Sequence, residues 1–241
     1  MPNDINGYYE NYYKTLGDSS YEMAKGGITS RVQTLLDWLD VHCPVGGSVL
    51  DIGCGDAFLS KQRPGLDWTG IDINTEKAQC NSVTHDLMVA PYPFPDAKFD
   101  AVICSEVLEH VWDFRVVLKE AHRVLKQGGY FLMSTPNHYW IDHIMQNFSQ
   151  LDFDADKPHL FEHIRFYSYQ THEKYLKLAG FKVVDFTGAD AQYSAFFART
   201  RSYLTAYLSQ YKLGLSSHNI DQIIGRCFPY NNHTIMVLSQ K

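Results

Sequence analysis

Short apolar blocks alternate along this chain with stretches whose apolar residues recur at helical spacing. Val49, Leu50 and Ile52 form one such block. A run of that kind suits a strand buried on both faces of a parallel sheet. Similar blocks stand at 67–73, at Val83, at 99–104 and 130–134, then at 181–186 and 233–239. Between them, Ile28, Val32, Leu35, Leu36 and Leu39 predict a helix over 28–42. A short helix starts at Asp56 and stops at Pro64-Gly65. Residues 75–80 read as a helical turn, and Pro91 to Asp96 breaks any helix. Val116, Val117, Leu118, Ala121, Val124 and Leu125 predict a helix over 113–126, with Gly128-Gly129 as its stop. Further helices are predicted at 138–149, before a polar loop at 150–162, and at 168–179, closed by Gly180. Strand and helix alternation of this sort predicts an α/β fold built on a mostly parallel sheet.

Two stretches sit outside that alternation. Residues 1–27 are rich in tyrosine, asparagine, glycine and aspartate, and predict a short helix and a loop. Residues 189–230 read as an insertion of two helices whose apolar face carries Tyr193, Phe196, Phe197, Tyr203, Leu204, Tyr207 and Leu208. Core packing, a cap over a substrate pocket, a subunit contact and a membrane contact are all open to that face.

The chemistry gathers where strands end. Ser48 to Ile52 runs straight into Gly53-Cys54-Gly55-Asp56, where a strand must turn sharply into a helix. Glycine there lets the backbone approach a ligand closely. Asp51 falls at the carboxyl end of the strand, the edge where open α/β sheets bind ligands. Asp72 ends the second strand, placed to accept hydrogen bonds from ribose hydroxyls. A nicotinamide or flavin site would want a third glycine where Phe58 stands, and an acid at Asp51 is foreign to that pattern.

The stretch from Val49 to Phe58 with Gly70-Ile71-Asp72-Ile73 behind it resembles the class I S-adenosylmethionine (SAM) dependent methyltransferases. The passages from Phe94 to Val111 and from Leu118 to Asn137 resemble the same family. The resemblance implies a Rossmann-like, seven-stranded, mostly parallel sheet with helices on both faces and the last strand antiparallel. It implies one domain over 1–241: a helical arm at 1–43, a cofactor-binding core at 44–188, the 189–230 cap and a last strand at 231–241. It implies SAM as cofactor, held by Asp51, Gly53, Cys54, Gly55, Asp72, Ile73, Asp86, Leu87 and Ser105. Asp86 and Leu87 would touch the adenine, and Arg31 would pair with the SAM carboxylate.

Glu106, Glu109 and His110 stand at i, i+3 and i+4, which on a helical turn puts them on one face. Two carboxylates and an imidazole suit a divalent cation such as Mg²⁺, Mn²⁺, Fe²⁺ or Zn²⁺. The spacing is similar to that of the ubiquinone-pathway O-methyltransferases and of the plant small-RNA 3′-end 2′-O-methyltransferases. In those groups a later histidine completes the site, and His163 holds a comparable place here. The competing reading gives His110 the part of a lone general base, with Glu106 contacting SAM or capping the turn.

Composition bounds the partners. The formal net charge is −6, which argues against a nucleic-acid substrate, because such binding leans on a basic footprint. The five cysteines show no CxxC spacing, so neither a zinc knuckle nor a disulfide framework is indicated. No apolar run is long enough to span a bilayer and no signal segment opens the chain. The expectation is a cytoplasmic enzyme, with a homodimer left open. Its acceptor would be a small-molecule hydroxyl on a phenol, a sugar or a lipid-linked intermediate. An RNA 2′-O-methyltransferase and a SAM-binding protein without turnover are the alternatives.

Overall fold

The computed structural model of the chain describes residues 28–137, 165, 167–189 and 234–241. The expectations for residues 1–27, for the helix at 138–149, for the loop at 150–162 and for nearly all of the 189–230 insertion lie outside these residues, as does His163. The described helices are α1 (Ser30–His42), α2 (Phe58–Gln62), α3 (Phe114–Val124) and α4 (Tyr169–Leu178). The strands are β1 (Ser48–Ile52), β2 (Asp67–Asp72), β3 (Asn81–Thr84), β4 (Phe99–Ser105), β5 (Leu125–Pro136), β6 (Lys182–Ala189) and β7 (Thr234–Gln240). They form one seven-stranded sheet in the order β3-β2-β1-β4-β5-β7-β6. The pairs from β3 through β5 are parallel, and β7 runs antiparallel to both β5 and β6. This is the Rossmann-like sheet expected from the resemblance.

The apolar blocks of β1, β4, β5 and β7 are continuous because each of these strands feeds two cores. Leu50, Ile52, Val102, Cys104, Phe131, Met133, Ile235 and Val237 pack with α3 and Leu176 of α4. Their neighbours Val49, Ala101, Ile103, Leu132, Met236 and Leu238 pack with α1 and Leu59 of α2. Strand alternation therefore splits one hydrophobic run between the two faces. Three helix starts are fixed by side-chain caps: Thr29 accepts from Val32 N–H, Asp113 from Arg115 N–H and Ser168 from Thr171 N–H.

The stop expected at Gly128-Gly129 is not where α3 ends. The helix stops at Val124, and Leu125 is already extended, pairing with Phe99. A register shift on β4 between Phe99 and Ala101 follows, and Gly128, with φ +79°, lies inside the β5 span. Sheet pairing, not the glycines, ends this helix.

His172 on α4 is buried and shares a 2.7 Å hydrogen bond with Thr135 Oγ1 on β5. It stacks on Tyr167 with ring centroids 4.6 Å apart. Burial lowers its pKa to about 3, so the folded protein holds a neutral imidazole where the unfolded chain takes up a proton below about pH 6.5. That contribution to stability is complete above pH 6.5 and is lost as pH falls toward 3. His172→Gln should be less stable than wild type at pH 7. By pH 5 the gap should narrow by about 2 kcal/mol, read from urea unfolding at each pH. A gap that does not change with pH would show that the ring is not held neutral.

Candidate cofactor and active site

The parallel register brings the ends of β1, β2 and β4 to one edge of the sheet. Asp51 pairs with Gly70 on one side and with Ile103 on the other. Beyond β1 the Gly53 N–H still donates to Ile71 O, at 2.8 Å. The loop then turns through Gly53 at φ +73° and Gly55 at φ +53°, conformations that favour glycine. Ala57, also left-handed at φ +60°, opens α2.

Gly55 N–H donates to Asp72 Oδ2 at 3.0 Å, and Asn74 N–H donates to Oδ1 at 3.1 Å. The carboxylate expected to meet a ribose thus also ties the glycine loop to β2, with lone pairs left over for a ligand's hydroxyls. Burial raises the pKa of Asp72, and these backbone donors work against that rise. Asp51 is 5% exposed. Burial first, then the charges of Asp72 and Asp56, push its carboxyl up to about 7. A loop ringed by three acids favours a ligand that brings positive charge.

Across the edge lies the turn after β4. Its expected helical geometry is corrected by the structure. Ser105 still belongs to β4, and Glu106 takes φ +56°, an unusual backbone for a side chain of this size. Glu106 N–H donates to Ser134 O at 3.0 Å. Its Oε1 accepts from Ser134 Oγ at 2.8 Å. Ser105 Oγ lies 2.9 Å from Ser134 Oγ and accepts from Arg31 at 2.7 Å. Because Ser134 gives its one proton to Glu106, Ser105 is the donor to Ser134. A polar chain therefore runs from α1 through the ends of β4 and β5 to Glu106.

Glu109 points the other way. It is fully buried, and among the described residues neither carboxyl oxygen has a hydrogen-bond partner. Burial, then the charge of Glu106, holds its carboxyl well above the usual carboxylate range. A neutral acid is the form that suits such a place. Its Oε1 is 3.8 Å from His110 Nε2, an ion pair by distance alone, which a neutral Glu109 does not form. His110 N–H closes the turn onto Val107 O at 3.0 Å, and its ring is 30% exposed. Glu106 and His110 are open, with the acid between them sealed in. The three do not share a helical face. Among the described residues no three His, Cys, Asp or Glu side chains gather to hold a metal ion, and His163, the fourth expected ligand, lies outside those residues.

The other expected residues are placed as follows. Arg31 reaches the β4 end through Ser105. Ile73 follows Asp72, and its N–H joins those that favour the Asp72 carboxylate. Asp86 caps its own turn, accepting from Met88 N–H at 2.9 Å. Leu87 packs against the core, and its carbonyl accepts from Tyr92 OH. Cys54 is buried within the glycine loop. The sequence reading missed three contributors. Val107 touches the glycine loop, since a Cβ on Gly53 would come within 2.4 Å of its Cγ2. Ser134 orients Glu106. Tyr167, itself buried, donates to Leu108 O at 3.0 Å and so pins the turn from below. A serine at the end of the apolar run before Thr135-Pro136 was the one visible signal for Ser134.

The sheet order, the glycine loop and the acid that ends β2 define a Rossmann-like class I methyltransferase domain. A family model described as a methyltransferase domain matches residues 22–185, and the chain belongs to that family. A SAM-dependent methyltransferase from Archaeoglobus fulgidus superposes with a TM-score of 0.60 at 18% identity, covering 95% of this chain and 100% of that one. A ubiquinone biosynthesis O-methyltransferase from Albidiferax ferrireducens is 34% identical over 120 residues, 42% of this chain and 46% of the relative. One from Pseudomonas aeruginosa is 33% identical over 119 residues, 42% of this chain and 50% of the relative. The chain thus matches about half the length of these curated relatives. Among the described residues no helix is long and apolar enough to cross a membrane.

Proposed function

We propose that this chain transfers the methyl group of SAM to a hydroxyl of a small molecule. The observation that carries the reading is the shared edge: the glycine loop, tied to Asp72, packs against the turn that presents Glu106 and His110. Asp72, Gly53 and Gly55 would hold the ribose and the methionine end, with Ile73, Asp86 and Leu87 around the adenine. Arg31 would meet the cofactor carboxylate from α1.

SAM supplies an activated methyl on a sulfonium, and the protein's task is alignment and exclusion of water. His110 accepts the hydroxyl proton as the oxygen attacks, and Glu106, held by Ser134, orients the acceptor. The carbon–sulfur bond breaks, leaving S-adenosylhomocysteine (SAH). No step requires a metal. A divalent cation is the finer alternative, supported by the sequence spacing of Glu106, Glu109 and His110 and by the place of His163 in the sequence.

The test is transfer of label from methyl-labelled SAM to a set of phenols, sugars and an RNA oligonucleotide, with and without chelator. Label should appear on a small-molecule hydroxyl and survive chelation. Label on the RNA alone would overturn the acceptor class. Loss of transfer with chelator, restored by Mg²⁺, Mn²⁺, Fe²⁺ or Zn²⁺, would favour the cation. Thermal stabilisation by SAH without transfer to any acceptor would favour binding without turnover.

A further inference from the structure

Gly70 sits in the middle of β2, paired with Asp51 on β1 and with Ser82 on β3. A Cβ at this position would stand 2.5 Å from Cys54 Sγ and 3.3 Å from Cys80 Sγ. Two thiols remote in sequence therefore meet over one backbone atom, and their sulfurs are within about 6 Å of each other. Any side chain at 70 would separate them. Cys54 belongs to the glycine loop, and Cys80 ends the turn that follows Asp72. Both are reduced; Cys54 is buried and Cys80 is half-buried.

We propose that Cys54 and Cys80 form a dithiol modification site whose ligand is a small disulfide of the glutathione disulfide class, and that its closure draws the glycine loop away from the cofactor. The second half of this proposal rests on the cofactor reading given above. The more open Cys80 loses its proton to solvent and attacks one sulfur of the small disulfide. That sulfur–sulfur bond breaks, and one small thiol leaves with a proton. Cys54 then loses its proton and attacks the Cys80 sulfur, releasing the second small thiol. Two protein thiols and one disulfide become one protein disulfide and two small thiols; the protein is oxidised by two electrons and the co-reactant reduced by two.

The surroundings set the pace. Burial pushes both thiols up, and the charges of Asp51 and Asp72 add to this at Cys54, that of Asp51 at Cys80. Thiolate is scarce at neutral pH, so closure is slow there and quickens as pH rises. Pulling Cys54 toward Cys80 acts on the loop between Gly53, bonded to Ile71 O, and Gly55, bonded to Asp72. The group that loses its geometry is the one proposed to hold the ribose.

The experiment treats the full chain with glutathione disulfide at about pH 8.5. It then reads the intact mass, the linked peptides and the SAH affinity. The expected result is a loss of two hydrogens, a mapped link between Cys54 and Cys80, and SAH affinity at least tenfold weaker, restored by dithiothreitol. By reciprocity, saturating SAH should lower the equilibrium ratio of closed to open protein in the same redox buffer by the same factor. Cys80→Ser should bind SAH as wild type does and should ignore the oxidant. No link, a link to Cys43, Cys104 or Cys227 in its place, or a Cys54–Cys80 link that leaves SAH affinity unchanged would each overturn the proposal. Reduced protein that binds no SAH would sink the cofactor reading and the loop-withdrawal half with it, while the mapped link still decides the dithiol half.

Discussion

Asp51→Asn should make the protein more stable at pH 8 by about 4 kcal/mol while weakening its hold on SAM. Asp51 is buried at the end of β1, facing Asp72 and Asp56. Its folded pKa, raised to about 7, exceeds the unfolded value near 3.9. Between those values the folded state keeps a proton that the unfolded chain has lost. Stability therefore falls by about 1.4 kcal/mol per pH unit as pH rises through this window, and the loss is complete above pH 7. The asparagine cannot ionise, so its stability has no such slope from this position. Urea unfolding of the two proteins should give nearly equal stabilities at pH 4 and the widest gap at pH 8. An equal gap at both pH values would mean that the side-chain swap acts through packing and not through charge. The acid survives in the native sequence, on this reading, because a cationic cofactor restores its ionised form with a favourable partner.

Gly53→Ala should bind SAH at least tenfold more weakly and lose about 2 kcal/mol of stability. Two separate penalties add. The backbone sits at φ +73°, where a Cβ costs about 1 kcal/mol. The new methyl would also lie 2.4 Å from Val107 Cγ2, so the loop and the turn after β4 must part. Adding Val107→Ala removes the second penalty but not the first. The double variant should therefore recover part of the stability lost at Gly53, measured against Val107→Ala alone. Strictly additive losses in this cycle would show that the two residues do not press on each other.

The sheet was legible because most strands are apolar blocks ended by a polar or glycine residue; β3, with Val83 as its one apolar residue, was placed by its position after Asp72. The two cores were not separable from sequence alone, since Val49 and Leu50 look alike until the sheet assigns them opposite faces. The glycine loop and Asp72 were readable for a local reason: a strand that must turn at once into a helix leaves few residue choices. The turn from Glu106 to His110 was misread for the opposite reason. Spacing of i, i+3 and i+4 has meaning only inside a helix, and β4 extends through Ser105 into a left-handed residue. Val107, Leu108 and Val111 go to the core, and Glu109 goes with them although it is an acid. That burial is set by packing around the turn, including Tyr167 from beyond residue 165, which local spacing does not encode.

The sheet order also governs when the fold can close during synthesis. Among the described residues strand β6 has one neighbour, β7, and β7 is made after it, from residues 234–240. Until those residues leave the ribosome, β6 has no partner and β5 presents a bare edge carrying Phe131 and Met133. The five parallel strands can assemble first, with the glycine loop and its acids already in place. The chain then carries an open β-edge through the whole interval in which residues 190–233 are made, a condition that invites pairing with other nascent chains. Chaperone dependence should therefore peak between the synthesis of β6 and that of β7, after the cofactor edge has formed and before β7 slots between its neighbours.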